Sequence, residues 1–289
     1  MTDRFSDAAL VVAGHGSTVN ADSAAPVYQH VDELRRRRLF AQTQEAFWKQ
    51  EPYLAQVLRG VFARRVFIVP LFISEGYFTE EVVPRELGFC RNGRRDFPRT
   101  QERGGQTFFY CGPVGTHPGM TDVLLARAGG IVEQFPFPRA PKPAETALFI
   151  AGHGTGNNEN SRQAIENQAQ LIRARQLYAE VHAVFMEEEP RIIHCHKLAR
   201  SKNIVVAPFF ISDGLHSRED IPVMMGAPKA VVAGRLKLGQ PPWRNPTERD
   251  GKRVWYTAAV GSEPRVADVI LERVRQAASG ADADPQKGF

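Results

Sequence analysis

Val11-Val12-Ala13-Gly14-His15-Gly16-Ser17 returns later in the chain as Phe149-Ile150-Ala151-Gly152-His153-Gly154-Thr155. His15 and His153 lie 138 residues apart. The same offset carries Phe47 to Phe185, Glu51-Pro52 to Glu189-Pro190, Pro70 to Pro208, Phe72-Ile73-Ser74 to Phe210-Ile211-Ser212, Gly76 to Gly214, Pro84 to Pro222 and Gly88 to Gly226. No gap intervenes from Ala13 to Gly88. Beyond Gly88 the offset becomes 146, bringing Tyr110 to Tyr256, Val114-Gly115 to Val260-Gly261 and Asp122-Val123 to Asp268-Val269. The second copy therefore holds eight extra residues between Gly226 and Trp243. Self-similarity of this length, with the punctuating Gly and Pro in register, marks a tandem duplication.

Each copy reads as alternating strands and helices. In the first, 9–13 is a short β-branched run, hence a buried strand. Val27, Val31 and Leu34 fall at helical spacing, and Ile165, Ala169 and Ile172 repeat that stripe. A second strand is expected at 45–47, with Pro52 in the first turn of the next helix. The apolar run 66–72 is a third strand, followed by a glycine loop, a helix near 80–87, a strand at 107–111 and a helix from about Met120. Strands alternating with helices predict an α/β fold. It has two tandem units, each a parallel β-sheet flanked by helices, with a cleft between them. The expected boundaries are a first repeat at 1–134, a proline-rich, semi-rigid linker at 135–145, a second repeat at 146–276 and a disordered tail at 277–289.

Composition narrows the class. Of the 289 residues 43% are hydrophobic, enough for a real core, yet no apolar run approaches the roughly 18 residues of a membrane span. The opening Met-Thr-Asp-Arg lacks a signal-peptide pattern. Cys90, Cys111 and Cys195 form no CxxC and leave one thiol over from any pairing, so a reduced, cytoplasmic setting is expected. The net charge of +5 is compatible with an anionic partner. Its one tight basic run, Arg35 to Arg38, reads as the solvated end of a helix. Basic residues interleaved with exposed aromatics do not occur, so nucleic acid is not expected, nor is a membrane. Neither Gly-Lys-Ser/Thr nor Gly-x-Gly-x-x-Gly occurs at a strand-to-helix turn, so no nucleotide is expected.

In open parallel sheets, sites lie beyond the carboxyl ends of the strands. The residues there pair off between copies as His15 with His153, Lys49 with Glu187, Phe78 with His216 and Val82 with Asp220. The second copy thus has His, Glu, His and Asp where the first has His, Lys, Phe and Val. Two neutral imidazoles and a carboxylate suit a divalent first-row ion such as Co²⁺, Fe²⁺, Ni²⁺ or Zn²⁺. A lysine and a phenylalanine in place of two of them leave the first copy unable to hold one. Glu187, Glu188 and Glu189 cannot all face one site. Glu189 recurs as Glu51 beside a helix-starting proline, which leaves Glu187 or Glu188 as the site carboxylate. The glycines Gly152, Gly154 and Gly214 allow close backbone approach of a ligand. Thr155, with Asn157 and Asn158, begins a helix and offers donors to an anionic group. His194 and His196 flank Cys195 on a predicted helix and are expected at the surface. His182 in a strand and His30 on a helix are expected to be structural.

Strand–Gly-His-Gly-Ser/Thr, then Phe185-Met186-Glu187, then 208–222 (Pro-Phe-Phe-Ile-Ser-Asp-Gly-Leu-His-Ser-Arg-Glu-Asp-Ile-Pro), resemble the class II, ATP-independent tetrapyrrole chelatases, above all the sirohydrochlorin chelatases of cobalamin and siroheme synthesis. The likeness covers both repeats, about 8–134 and 146–276, each chelatase-like. It implies that His153 and His216 bind the incoming metal and act near the pyrrole protons, assisted by Glu187. The metal is then a substrate, Co²⁺ foremost with Fe²⁺ or Ni²⁺ as the other candidates. The partner implied is an anionic tetrapyrrole small molecule, and the protein is expected to be a monomer. Gly152, Gly154, Thr155 and Gly214 would contact the tetrapyrrole. His15 is either a relic or a residue facing the macrocycle. Two other readings compete: a protein that carries metal or tetrapyrrole without turnover, and a metal-dependent hydrolase.

Overall fold

The structure, a computed structural model, describes residues 5–90, 96–154 and 159–280. The first repeat runs β1 (Phe5–Gly14), α1 (Ala25–Arg37), β2 (Phe40–Phe47), α2 (Leu54–Val57), β3 (Arg65–Pro70), α3 (Val83–Glu86), β4 (Thr100–Arg103), β5 (Gln106–Tyr110) and α4 (Met120–Gln134). The second runs β6 (Thr146–Gly152), α5 (Glu159–Ala174), β7 (Glu180–Phe185), α6 (Cys195–Leu198), β8 (Asn203–Pro208), α7 (Ile221–Met224), α8 (Lys229–Lys237), β9 (Thr247–Arg249), β10 (Lys252–Tyr256) and α9 (Val266–Ala278).

The two sheets have one topology, β2-β1-β3-β5-β4 and β7-β6-β8-β10-β9. Their registers match residue for residue. Ala13 lies opposite Pro70 and Gly14 opposite Phe47, as Ala151 lies opposite Pro208 and Gly152 opposite Phe185. The central strands are apolar on both faces because helices cover both. Leu10, Val11, Val12 and Ala13, and Leu148, Phe149, Ile150 and Ala151, have no exposed surface. The expected helical stripes are the buried faces of α1 and α5.

The sheets differ from the expected all-parallel form at one edge. β4 and β9 run antiparallel to β5 and β10. Both are short and polar, Thr-Gln-Glu-Arg and Thr-Glu-Arg, with no apolar alternation to betray them. Charged, short edge strands protect a sheet from pairing with another chain. α2 begins at Leu54, one turn position later than Pro52 suggested. The helix expected near 80–87 is a π-helical turn, Phe78–Val82, running into α3. The longer stretch of the second copy between Gly226 and Trp243 contains α8. α9 extends through Ala278, so the expected disordered tail begins inside a helix, and 281–289 lie outside the described residues.

The compact units are not the sequence repeats. One comprises the chain through His117 together with the stretch from Pro264, and the other runs from Pro118 to Glu263. The last helix of each copy has been exchanged. α4 packs on β8, β10 and α5, with Thr121 Oγ1 donating to Gln168 Oε1 at 2.8 Å. α9 packs on β3, β5 and α1, with Arg273 Nη2 donating to Pro113 O at 2.7 Å. The compact units thus divide the chain elsewhere than the sequence repeats expected to end at 134 and 276. The physical reason is that duplication made the two sheet faces equivalent, and the helices that cover them equivalent too. Val123, Leu124 and Ala128 of α4 are matched by Val269, Ile270 and Val274 of α9. Nothing in the burial pattern tells either helix which sheet to cover. The proline-rich segment 135–145 is also no free linker. Trp255 Nε1 donates to Phe135 O at 2.9 Å, Arg253 Nη1 donates to Phe137 O at 2.8 Å, and Arg139 pairs with Glu145.

Two predictions follow from this packing. Leu124→Ala, in a helix of the first repeat, should destabilise the unit holding β6 and β8 by about 2–5 kcal/mol. Amide hydrogen exchange should show the lost protection there and not in β1 and β3. In the other unit, burial and then the neighbouring Arg273 hold the His117 imidazole down to about 4, from an ordinary value of 6.5. A neutral buried histidine binds a proton only on unfolding. Its contribution is therefore complete above pH 6.5 and lost as the pH falls from 6.5 towards 4. His117→Gln should flatten that part of the stability profile, measured by urea unfolding at stepped pH.

Candidate functional site

The hydrogen-bond ladder between β6 and β7 continues past the strand ends. Met186 N–H donates to Gly152 O at 3.0 Å and Glu187 N–H to His153 O at 3.2 Å. That places the side chains of His153 and Glu187 together, with Nε2 and Oε1 3.7 Å apart. Of the two open candidates for the carboxylate, Glu187 stands beside the imidazole. Glu188 is turned away, paired with Arg162 of α5 at 3.0 Å. Glu189 accepts the Arg191 N–H at 3.0 Å.

His216 arrives from the third strand. It is the first residue of a π-helical turn, His216–Asp220, that follows the loop after β8. Its ring lies 4.9 Å from that of His153, edge-on at 78°. Its Nδ1 lies 2.7 Å from Asp220 Oδ2. Three supports hold this turn and loop. The buried Tyr256 hydroxyl donates to Ser217 O at 2.6 Å, and burial, then Asp213, push that phenol well above its ordinary range, so it stays a donor. Asp213 accepts the Ala259 N–H at 2.7 Å. Gly261 passes so close that a Cβ there would sit 1.9 Å from Ile211 O.

His153, His216 and Glu187, separated by 63 residues of sequence between first and last, are thus neighbours. The arrangement is open: among the described residues no group of three His, Cys, Asp or Glu side chains converges tightly enough to enclose an ion. A pocket of ≈ 480 Å³ adjoins Glu187 and Asp220, walled by Met186, Met224 and, from α8, Lys229 and Val232.

Two of the glycines are required by packing. A Cβ on Gly152 would lie 1.9 Å from Ile165 Cδ1 of α5, so its absence lets the helix close over the strand end. Gly154 has φ +63° and would meet Phe185 Cβ at 2.6 Å. At Gly214 a Cβ meets nothing nearer than 3.8 Å, and its carbonyl accepts the Arg218 N–H at the start of the π-turn. Thr155, Asn157 and Asn158 lie outside the described residues, and α5 begins at Glu159. His196 is not a surface residue as expected. Its side chain is 11% exposed and 3.3 Å from Asp250, and burial lowers its pKa, whereas His194 is half exposed. His182 stacks on Phe149 at 4.6 Å, and His30 is buried on α1.

The first unit repeats the scaffold without the donors. Lys49 N–H donates to His15 O at 2.9 Å, as Glu187 does to His153. Phe78 meets the His15 ring at 4.8 Å and 77°, closely matching the geometry of the His216–His153 pair. Trp48 closes a further side at 5.3 Å, and Lys49 Nζ lies over the Trp48 ring at 3.7 Å. His15 Nδ1 is engaged with Gly16 O at 2.7 Å. The ring is packed among aromatics where the second unit has nitrogen and oxygen donors.

The CbiX family model matches residues 9–130 and again 147–277. The chain belongs to the CbiX family. Over 279 residues, 93% of this chain and 91% of the relative, it is 41% identical to a "probable sirohydrochlorin cobaltochelatase" of Halobacterium salinarum. A sirohydrochlorin cobaltochelatase of Methanopyrus kandleri is 27% identical over 45% of this chain and 96% of its own length, and so corresponds to a single CbiX repeat. Among solved structures, a multi-domain protein of Deinococcus radiodurans with structural similarity to chelatases superposes with a TM-score of 0.74 at 32% identity, covering 94% of this chain, which in turn spans 55% of that one. A CbiX structure from siroheme biosynthesis in denitrifying bacteria has a TM-score of 0.61 at 22% identity, over 93% and 98% of the two chains, and shares the fold.

Asp220 and Tyr256 gain importance here that the sequence did not convey. Both were visible as repeat positions, Asp220 against Val82 and Tyr256 against Tyr110, but only contact geometry shows what they hold. Gly261→Ala tests the loop packing. The added methyl should displace the backbone at Ile211, cost about 1–3 kcal/mol as overpacked cores do, and shift the His216 ring resonance in NMR although no candidate side chain is altered.

Proposed function

We propose that this chain inserts a divalent metal ion, Co²⁺ in first place with Fe²⁺ and Ni²⁺ as the alternatives, into sirohydrochlorin or a related tetrapyrrole without ATP, as a lyase-class chelatase. The observation that carries the reading is the pairing of His153 and His216 at 4.9 Å with Glu187 at 3.7 Å, confined to one repeat of a CbiX chain. Neutral imidazole and carboxylate are suitable donors for these ions. Their loose assembly suits an ion that must be passed on, because a closed four-donor shell is the signature of a metal that stays.

The chemistry follows from charge balance. A hydrated M²⁺ exchanges part of its water for imidazole nitrogen and the Glu187 carboxylate. Transfer to the macrocycle replaces two pyrrole N–H bonds with bonds from nitrogen to the metal and releases two protons. A histidine nitrogen or the Glu187 carboxylate accepts them. The carboxylates of the tetrapyrrole are met by Arg and Lys side chains, consistent with the net charge of +5. Among the described residues no helix is long and apolar enough to cross a membrane.

The test is direct. Purified protein is mixed with sirohydrochlorin and Co²⁺ in the absence of nucleotide, and the visible spectrum is followed. The rate should exceed the protein-free rate, and His216→Ala should lower it by about 10²-fold or more. His15→Ala should be the milder change. No acceleration by the wild-type protein would favour a mere carrier of metal or tetrapyrrole. A larger loss in His15→Ala than in His216→Ala would put the chemistry in the wrong repeat.

A further inference from the structure

We propose that Asp220 is a positioning residue that selects the working nitrogen of His216, an inference that rests on the reading of His216 as a metal-handling ligand. The separation of 2.7 Å between His216 Nδ1 and Asp220 Oδ2 is that of a charge-assisted hydrogen bond. With the Asp220 oxygen accepting, Nδ1 carries the proton and the lone pair resides on Nε2. The two ring nitrogens point in divergent directions. Asp220 therefore engages the ring at Nδ1 and leaves Nε2 as the nitrogen that would meet an ion. It acts through the imidazole and not as a ligand itself.

The fold itself does not require the pair. The first unit builds the same π-helical turn from Phe78 to Val82, with apolar side chains at the two positions that His216 and Asp220 occupy. The His216 and Asp220 side chains are 44% and 40% exposed, and an ion pair so wetted adds little to stability. What it does supply is direction. A turn of this kind sets residues four apart side by side, and such turns recur at functional sites. The two imidazoles are consequently unlike. Nδ1 of His216 has a carboxylate, while Nδ1 of His153 is buried without a hydrogen-bond partner among the described residues. A carboxylate on the far nitrogen fixes the tautomer, orients the ring and makes the near nitrogen a better donor. Asp220 thereby makes His216 the firmer of the two holds on the metal.

The experiment titrates Co²⁺ into metal-free full-length protein, following the visible absorption of bound cobalt, for wild type, Asp220→Ala, Asp220→Asn and His216→Ala. In parallel, nitrogen NMR reads the His216 tautomer, and thermal midpoints are recorded. Asp220→Ala should weaken Co²⁺ binding by about 10–100-fold and allow both His216 tautomers to appear, with its thermal midpoint held. Asp220→Asn, whose amide oxygen still accepts from Nδ1, should keep the tautomer and lose less affinity. Unchanged affinity and tautomer in Asp220→Ala, where His216→Ala does weaken binding, would overturn the proposal. So would equal losses of affinity and thermal midpoint in both Asp220 variants, the mark of a merely structural role. If His216→Ala leaves Co²⁺ affinity intact, the reading of the metal site has failed, and the inference falls with it for that distinguishable reason.

Discussion

The continuation of the backbone ladder beyond the paired strands is the constraint on which the rest depends. Glu187 N–H on His153 O, and Lys49 N–H on His15 O, fix two side chains next to one another whatever they are. Such bonds are cheap to keep, because the groups would otherwise be unpaired at a half-buried strand end. Their consequence is that side-chain identity alone decides what the end of the sheet can do. With His and Glu it presents donors to a cation. With His and Lys, and with Phe78 and Trp48 closing over the ring, it presents an aromatic surface topped by a positive charge.

A rigid surround makes the open donor set useful. The loop that delivers His216 is held by a buried phenol, a carboxylate on a backbone N–H and a glycine with no room for a methyl group. The donors themselves remain partly exposed, with His153 at 30% and Glu187 at 58%.

Exchange of the terminal helices explains why a copy stripped of donors persists. α4 belongs by sequence to the first repeat, yet its apolar face completes the unit that carries His153 and His216. α9 returns the relation. Neither unit has its full core without a segment of the other copy. Half-length relatives such as that of Methanopyrus kandleri show that one repeat is a sufficient sequence unit.

Much of this was legible in the chain itself. The register of the repeat follows from position-by-position chemistry, so the alternation of strands and helices, the buried stripes of α1 and α5, and the contrast of His216 with Phe78 could all be read without coordinates. Local patterns carry that information because periodicity and punctuation are properties of neighbours along the chain. Short polar edges such as β4, and a π-turn in place of a helix, left no such pattern. Three things belonged to the tertiary structure alone. It chose which sheet each terminal helix covers, because duplication had made the faces equivalent. It placed Glu187 and not Glu188 beside His153, because in the bend after β7 Glu188 is drawn to Arg162 of α5. And it brought Asp220 to the rear nitrogen of His216, because that depends on the pitch of a single turn.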